Sequence, residues 1–178
     1  MPSGDQPKLL VLDSSFFIER GGSAVLDVPA VVPLSIREEL SRKGWGPRLD
    51  LLEEVGKLHV EAPSSRSVER VRVKAVETGD SSVLSPADVD LLALALDKSN
   101  PGGPGRVALV TDDYAVQNVA AALGLWVLPA RKSPIRDRID WVTYCPACRE
   151  VSPREPVGSP CPTCGTPLRR RRHEAKPL

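Results

Sequence analysis

The sequence predicts an α/β fold, a parallel sheet with helices on both faces, followed by a small C-terminal module. Three observations carry this. Val107–Val110 is a short apolar run after the Gly/Pro-rich stretch Asn100–Arg106, as a buried strand would be. The period then changes. Val116, Val119, Ala120 and Leu123 fall at i, i+3, i+4 and i+7, one face of a helix, and Gly124 sits where a helix stops. A strand feeding a helix is half of a parallel βαβ unit. Lys8–Asp13, followed by Ser14–Ile18, repeats the arrangement. Finally, the four cysteines all lie beyond Leu125–Pro129, the last strand expected in the sheet.

The elements follow in order. Met1–Pro7 is polar and loose. Lys8–Asp13 is a strand, and the short helix opened by Ser14 ends near Gly21-Gly22. Ala30–Leu34 is extended. Ser35 and Glu38 have the spacing of a capping box for a helix with Ile36 and Leu40 inward. Pro47–Val55 is a second short helix with Leu49, Leu52 and Val55 on one face. Lys57–Ala62 alternates as a strand. A helix begins at Ser64 or Ser67 and reaches about Thr78, with Val68, Val71, Ala75 and Val76 inward. Gly79–Ser82 is a loop. Ser85 then caps a buried helix, with Pro86 at its first position and Asp88 at its third, where the helix dipole favours an anion.

Several acids fall where an α/β protein does its chemistry, at strand ends and helix starts. Asp13 closes the first strand; Thr111, Asp112 and Asp113 follow the strand at 107–110. Asp88 shares a helix side with Leu91, Leu92 and Ala95, so its charge is costly unless paired or bound to a cation. Glu39 lies at the margin of its helix's apolar face, and Glu38 is already assigned to capping. Each acid alone could be a cap or a solvated charge; four from separate elements of one sheet form a candidate site. The two histidines, His59 and His173, lie apart, and no Ser–His–Asp set or GxxxxGK loop competes. Carboxylates without histidine suit Mg²⁺ or Mn²⁺, which activate water and stabilise charge at a phosphodiester.

Cys145-Pro-Ala-Cys148 and Cys161-Pro-Thr-Cys164 are two C-x-x-C pairs separated by 12 residues, which points to one structural Zn²⁺ held by four thiolates. The expected organisation is a body at 8–129, a basic linker at 130–143, a zinc ribbon at 144–168 and a basic tail at 169–178. Residues 1–130 hold 13 Lys/Arg against 18 Asp/Glu, and residues 131–178 hold 11 against 5. The acidic body and basic end suggest that the end holds a polyanion. Arg136, Arg138, Arg169, Arg170, Arg171 and Arg172 are the RNA-contact candidates, with Trp141 and Tyr144 either stacking on bases or packing the ribbon. No long apolar run or leader pattern is present, so a cytoplasmic protein with no membrane partner is expected.

Val11-Leu12-Asp13, Glu39-Leu40, Leu84–Asp88 with Ala93–Leu96, and Val110-Thr111-x-Asp113 resemble the PIN-domain ribonuclease pattern. The run Thr111–Val119, followed by a four-cysteine ribbon, is similar to a narrower group, the Nob (Nin-one-binding) family of ribosome-assembly endonucleases in its compact archaeal form. The resemblance covers about residues 8–168. It implies a Mg²⁺- or Mn²⁺-dependent endoribonuclease with Asp13, Glu39, Asp88 and Asp113 as metal-holding acids and Thr111 as the accompanying hydroxyl. Asp112 is expected to be the helix cap, although the adjacent pair leaves the fourth acid open. The implied reaction is cleavage of precursor 16S rRNA at its mature 3′ end. The implied partners are the precursor small ribosomal subunit and other assembly factors. Two alternatives are a toxin-type PIN ribonuclease acting on tRNA or mRNA, and a non-catalytic RNA-binding assembly factor.

Overall fold

The computed structural model describes residues 6–19, 27–99, 106–130, 137–153 and 155–177. Strands β1 (Leu9–Leu12), β2 (Ala30–Pro33), β3 (Leu58–Glu61), β4 (Val107–Val110) and β5 (Val127–Leu128) form one parallel sheet in the order β3-β2-β1-β4-β5. Helices are α1 (Ser14–Glu19), α2 (Leu34–Arg42), α3 (Gly46–Glu54), α4 (Ser65–Thr78), α5 (Pro86–Lys98) and α6 (Tyr114–Ala122). The two-residue period of the strands sorts their side chains between two cores. Leu9, Val11, Val31, Val107 and Leu109 pack with α4, α5 and α6. Leu12, Ala30, Val32, Leu58 and Val110 pack with Phe16, Phe17, Ile36, Leu40 and Leu49 of α1, α2 and α3. The expected sheet with helices on both faces is therefore present.

This topology positions the site. From β1 the chain crosses to β2 on one side, whereas β4 lies on the other. The gap between the carboxyl ends of β1 and β4 is thus a topological switch point, where such sheets form a crevice. Leu12 is in register with Val110, so the next residues, Asp13 and Thr111, emerge side by side. The Asp13 amide donates to the Val110 carbonyl at 3.1 Å, which carries the strand pairing into the site.

Three local expectations change. The Ser35–Glu38 capping box is not formed. Strand β2 runs to Pro33, whose extended backbone leads straight into α2 without a side-chain cap. Ser35 is therefore inside the helix, and its hydroxyl donates instead to Asp90 Oδ2 at 2.8 Å, tying α2 to α5. Glu38 is exposed. Val76 and Val55, expected inward, are 64% and 58% exposed, because α4 buries the row Ser67, Val71, Ala75 and Thr78 and α3 ends before Val55. Ser64, rather than Ser67, caps α4. Both serines also donate to Asp97, which fastens α4 to the far end of α5.

The stretches read as linker and tail hold strands. β6 (Asp137–Tyr144) pairs antiparallel with β7 (Arg169–Pro177), from Asp137 opposite Pro177 to Tyr144 opposite Arg169. The register shifts between Asp140 and Trp141 because β7 carries an extra residue there, His173, and the Arg-rich β7 offers almost no apolar period. The expected helix stop at Gly21-Gly22 and the basic residues Arg131, Lys132 and Arg136 lie outside the described residues. No helix among the described residues is long and apolar enough to cross a membrane.

Candidate active site

Asp13 is the centre of the site. It is 6% exposed, and among the described residues its carboxylate accepts from its own turn and from the facing strand end. Oδ1 accepts from the Ser14 amide at 2.6 Å. Oδ2 accepts from the Ser15 hydroxyl at 2.9 Å and from Thr111 Oγ1, across the switch point, at 2.8 Å. Thr111 is fully buried, and its hydroxyl also accepts from the Asp113 amide at 3.1 Å. Gln117, one turn into α6, donates to the Thr111 carbonyl at 3.0 Å. Backbone and side chain of Thr111 are thus both held, and the Asp13 carboxylate has a fixed orientation.

The two acids after Thr111 have opposite roles to part of the expectation. Asp113, not Asp112, is the helix cap. Its Oδ1 accepts from the Ala115 and Val116 amides at 2.7 and 3.1 Å. The reason is spacing: α6 starts at Tyr114, so Asp113 alone can reach the second and third amides of the helix. Capping does not remove Asp113 from the site, because its charge acts on Asp88. Asp112 is 4% exposed, and its amide donates to the Ser15 hydroxyl at 3.4 Å.

Asp88 is both the third-position partner of the Ser85 capping box and a candidate site acid. Its Oδ2 accepts from the Ser85 amide and hydroxyl at 2.8 Å each, while its own amide donates back to Ser85 Oγ at 3.2 Å. Burial pushes the Asp88 carboxyl above its ordinary value. The Ser85 hydrogen bonds oppose that rise, and the charges of Asp113 and Asp13 add to it. Three carboxylates from three elements therefore share one electrostatic environment. Their repulsion and partial burial are the conditions that an oxygen-liganded divalent cation relieves. The donor set fits such an ion.

Glu39 is placed differently from the other predicted acids. It is half-buried on α2, and its carboxylate pairs with Lys43 one turn later at 2.5 Å. Sequence reasoning missed Ser15, which bridges Asp13 and the Asp112 amide. Its one signal is proximity, two residues after a strand-terminal acid. A contact between residues 97 apart, which depends on the register of two strands, has no local pattern.

The four cysteines converge as expected. Their sulfurs all lie within 4.8 Å of one another, with Cys145–Cys164 at 3.4 Å and Cys148–Cys161 at 3.7 Å. A tetrahedral zinc with bonds of about 2.3 Å separates its sulfurs by roughly 3.8 Å, so the cluster has the right size. The two knuckles are alike. Arg149 N donates to the Cys145 carbonyl at 2.9 Å and Gly165 N to the Cys161 carbonyl at 2.8 Å. Both turns need a left-handed residue, supplied by Gly165 (φ 74°) and, without a glycine, by Arg149 (φ 65°). Hydrogen bonding with Thr166 holds the Cys164 thiol down at about 6, whereas at Cys148 the lowering by the Glu150 backbone is outweighed by hydrogen bonds from the other three thiols, which push it up to about 12.

The basic candidates divide into two groups. Arg169, Arg171 and Arg172 are exposed on β7, with the Arg171 guanidinium 4.8 Å over the Tyr144 ring. Arg170 instead turns inward. It donates to Asp80 at 2.8 Å and stacks 4.1 Å over Trp141. Arg138 is half-buried beside Asp140 at 3.5 Å. Trp141 and Tyr144 are both half-buried under these arginines, which is a packing role.

The chain is similar in sequence to known proteins. The PIN domain of ribonuclease matches residues 10–97. Ribonuclease VapC3 of Aeropyrum pernix is 43% identical over 122 residues, which cover 68% of this chain and 86% of the relative. Endoribonuclease Nob1 of Pyrococcus abyssi is 33% identical over 160 residues, 90% of this chain and 91% of the relative. Endoribonuclease Nob1 of Archaeoglobus fulgidus is 36% identical over 156 residues, 88% and 86% of the two chains. These two Nob1 matches are longer than the sheet and its helices, as is the 170-residue, 32% identical match to Ribonuclease VapC1 of Thermoplasma acidophilum, which covers 96% of this chain and 81% of the relative. The chain is an endoribonuclease and belongs to the PIN-domain family of the archaeal Nob1 proteins.

Proposed function

We propose that this endoribonuclease cleaves precursor 16S rRNA at its mature 3′ end during small-subunit assembly. Asp13, Asp88, Asp113 and Glu39 would hold Mg²⁺ or Mn²⁺, and the four cysteines a structural Zn²⁺. The observation that carries the reading is the Asp13 carboxylate, pinned across the switch point by Thr111 and Ser15. Asp13 and Asp113 both act electrostatically on Asp88. A divalent cation bound there activates a water and offsets charge developing at the phosphodiester. The chain's own residues fix the carboxylates and bring them from separate elements. Asp112, beside them, adds a further acid. In this reading Glu39 exchanges its pairing with Lys43 for the cation.

RNA placement falls to the C-terminal module. A carboxylate site repels a polyanion, and Arg169, Arg171 and Arg172 form an exposed basic row on β7. The precursor small subunit and its assembly factors are the natural partners of such an enzyme in the cytoplasm. The similarity to VapC3 supports a second reading, a toxin-type nuclease acting on tRNA or mRNA. Incubating the full chain with a precursor-16S 3′ fragment, a tRNA and an mRNA fragment, each with Mn²⁺, separates the two. One dominant cut in the precursor fragment, with the other RNAs spared, is expected. Preferred cutting of tRNA or mRNA supports the toxin-type reading, and no cutting of any of the three RNAs overturns both.

A further inference from the structure

The base of the cysteine module is built into the nuclease body. Asp80 is fully buried in the turn between α4 and α5. Its Oδ2 accepts from Asn118 Nδ2 on α6 at 2.6 Å, and its Oδ1 from Arg170 on β7 at 2.8 Å. Asn118 then pairs with the β6 backbone as a neighbouring strand would. Its Oδ1 accepts from the Ile139 amide at 2.6 Å, and its Nδ2 donates to the Ile139 carbonyl at 2.7 Å. Gly79 completes the contact. With φ of 73°, it lets the Trp141 carbonyl approach to 2.4 Å from where a Cβ would stand. Arg170 covers the Trp141 ring from the other side at 4.1 Å.

A buried carboxylate, a buried amide and a backbone-to-backbone contact are not the chemistry of a tethered arm. Each group would be left unsatisfied, and expensive, if the strands moved away. The lock also reaches the site. Asn118 lies five residues along α6 from its cap Asp113, and its neighbour Gln117 holds the Thr111 carbonyl.

We infer that Asp80, Asn118 and Arg170 are positioning residues that fix the cysteine module at a set distance from the carboxylate site. They thereby determine which phosphodiester is cut. This rests on the proposal that the module holds the RNA. RNA anchored on the exposed arginines of β7 then meets the carboxylates at one nucleotide. Asn118 touches neither substrate nor cation, and its effect is on where cutting occurs.

Two readouts on the zinc-loaded full chain test this. In NMR relaxation, amides of β6, β7 and the module are expected to share one rotational correlation time with the sheet. In Asn118→Ala the module is expected to tumble faster than the body. Cleavage of a precursor-16S 3′ fragment is expected to lose its single dominant product and spread over neighbouring bonds. Cutting of a short unstructured RNA, too small to reach the module, stays at the wild-type rate. Arg170→Met combined with Asp80→Asn removes the buried pair without leaving a lone charge, and is expected to behave in the same way. Separate tumbling in the wild type, common tumbling in both variants, or an unchanged cut site in a loosened variant overturns the inference. Failure of the RNA-holding proposal has a different signature. Arg169→Ala, Arg171→Ala and Arg172→Ala together would then leave RNA affinity unchanged, while tumbling still splits in Asn118→Ala.

Discussion

At the scale of single residues, the site depends on groups that touch Asp13 rather than on Asp13 alone. Thr111 and Ser15 each donate to Oδ2, and their loss removes both Oδ2 contacts while the Ser14 amide still holds Oδ1. Supporting hydrogen bonds of this kind typically change metal affinity or activity by about 10–100-fold. Thr111→Val and Ser15→Ala are expected to lower cleavage by that factor, measured under single-turnover conditions, with the circular-dichroism spectrum unchanged. Asp88 supplies a pH dependence with a definite sign. Its folded-state pKa lies above its unfolded value, so the cation-free fold binds this proton more tightly than the unfolded chain does. Its contribution to cation-free stability therefore rises as pH falls through the raised value. Cation binding needs the deprotonated form and weakens over the same window. Melting curves from about pH 7 to about pH 4, in EDTA and in Mn²⁺, are expected to show both trends. Asp88→Asn lacks both contributions. Asp13 and Asp88 were legible in the sequence because strand ends and buried helix starts have local signatures. The cap at Asp113 was misread because two adjacent acids fit one N-cap signal, and one residue of helix start decides between them.

At the scale of elements, α2 shows how a tertiary contact overrides a local motif. Ser35-x-x-Glu38 has capping-box spacing, yet β2 extends to Pro33 and the Ser35 hydroxyl goes to Asp90. Glu38→Ala is therefore expected to change stability by less than about 0.5 kcal/mol, as for an ordinary surface site. Ser35→Ala is expected to cost about 1 kcal/mol in chemical denaturation, the usual worth of such a hydrogen bond. Glu39→Gln is expected to lower the cleavage rate with little change in stability, since its ion pair with Lys43 is exposed and weak. Equal rates for Glu39→Gln and wild type would remove Glu39 from the cation site. In the C-terminal module the cysteine spacing was legible, whereas β6 and β7 were not. Metal ligation has a fixed spacing in sequence, but a charged two-stranded ribbon with a bulge has no periodic signal. Elemental analysis is expected to give one zinc per chain. Structural zinc contributes roughly 10–16 kcal/mol in isolated zinc-finger peptides. Strong chelation is therefore expected to unfold the cysteine knuckles while the parallel sheet persists.

At the scale of the whole molecule, the formal charge of +1 hides two oppositely charged parts, and the structure joins them firmly. The sheet's switch point gathers carboxylates that a polyanion avoids until they hold a cation. The strands of the module carry exposed arginines that a polyanion seeks, and the Asp80–Asn118–Arg170 contact fixes one against the other. The parallel sheet with helices on both faces followed from the strand and helix pattern. The interface did not, because Asp80 and Arg170 are 90 residues apart and each alone looks like a surface charge. The most direct test of the nuclease site is single-turnover cleavage of a precursor-16S 3′ fragment by wild type and Asp13→Asn, with Mn²⁺ and with EDTA. Cutting by the wild type in Mn²⁺ is expected, with no cutting in EDTA and none by a folded Asp13→Asn. Wild-type cleavage by Asp13→Asn, or undiminished cleavage in EDTA, would contradict a cation-dependent site centred on Asp13.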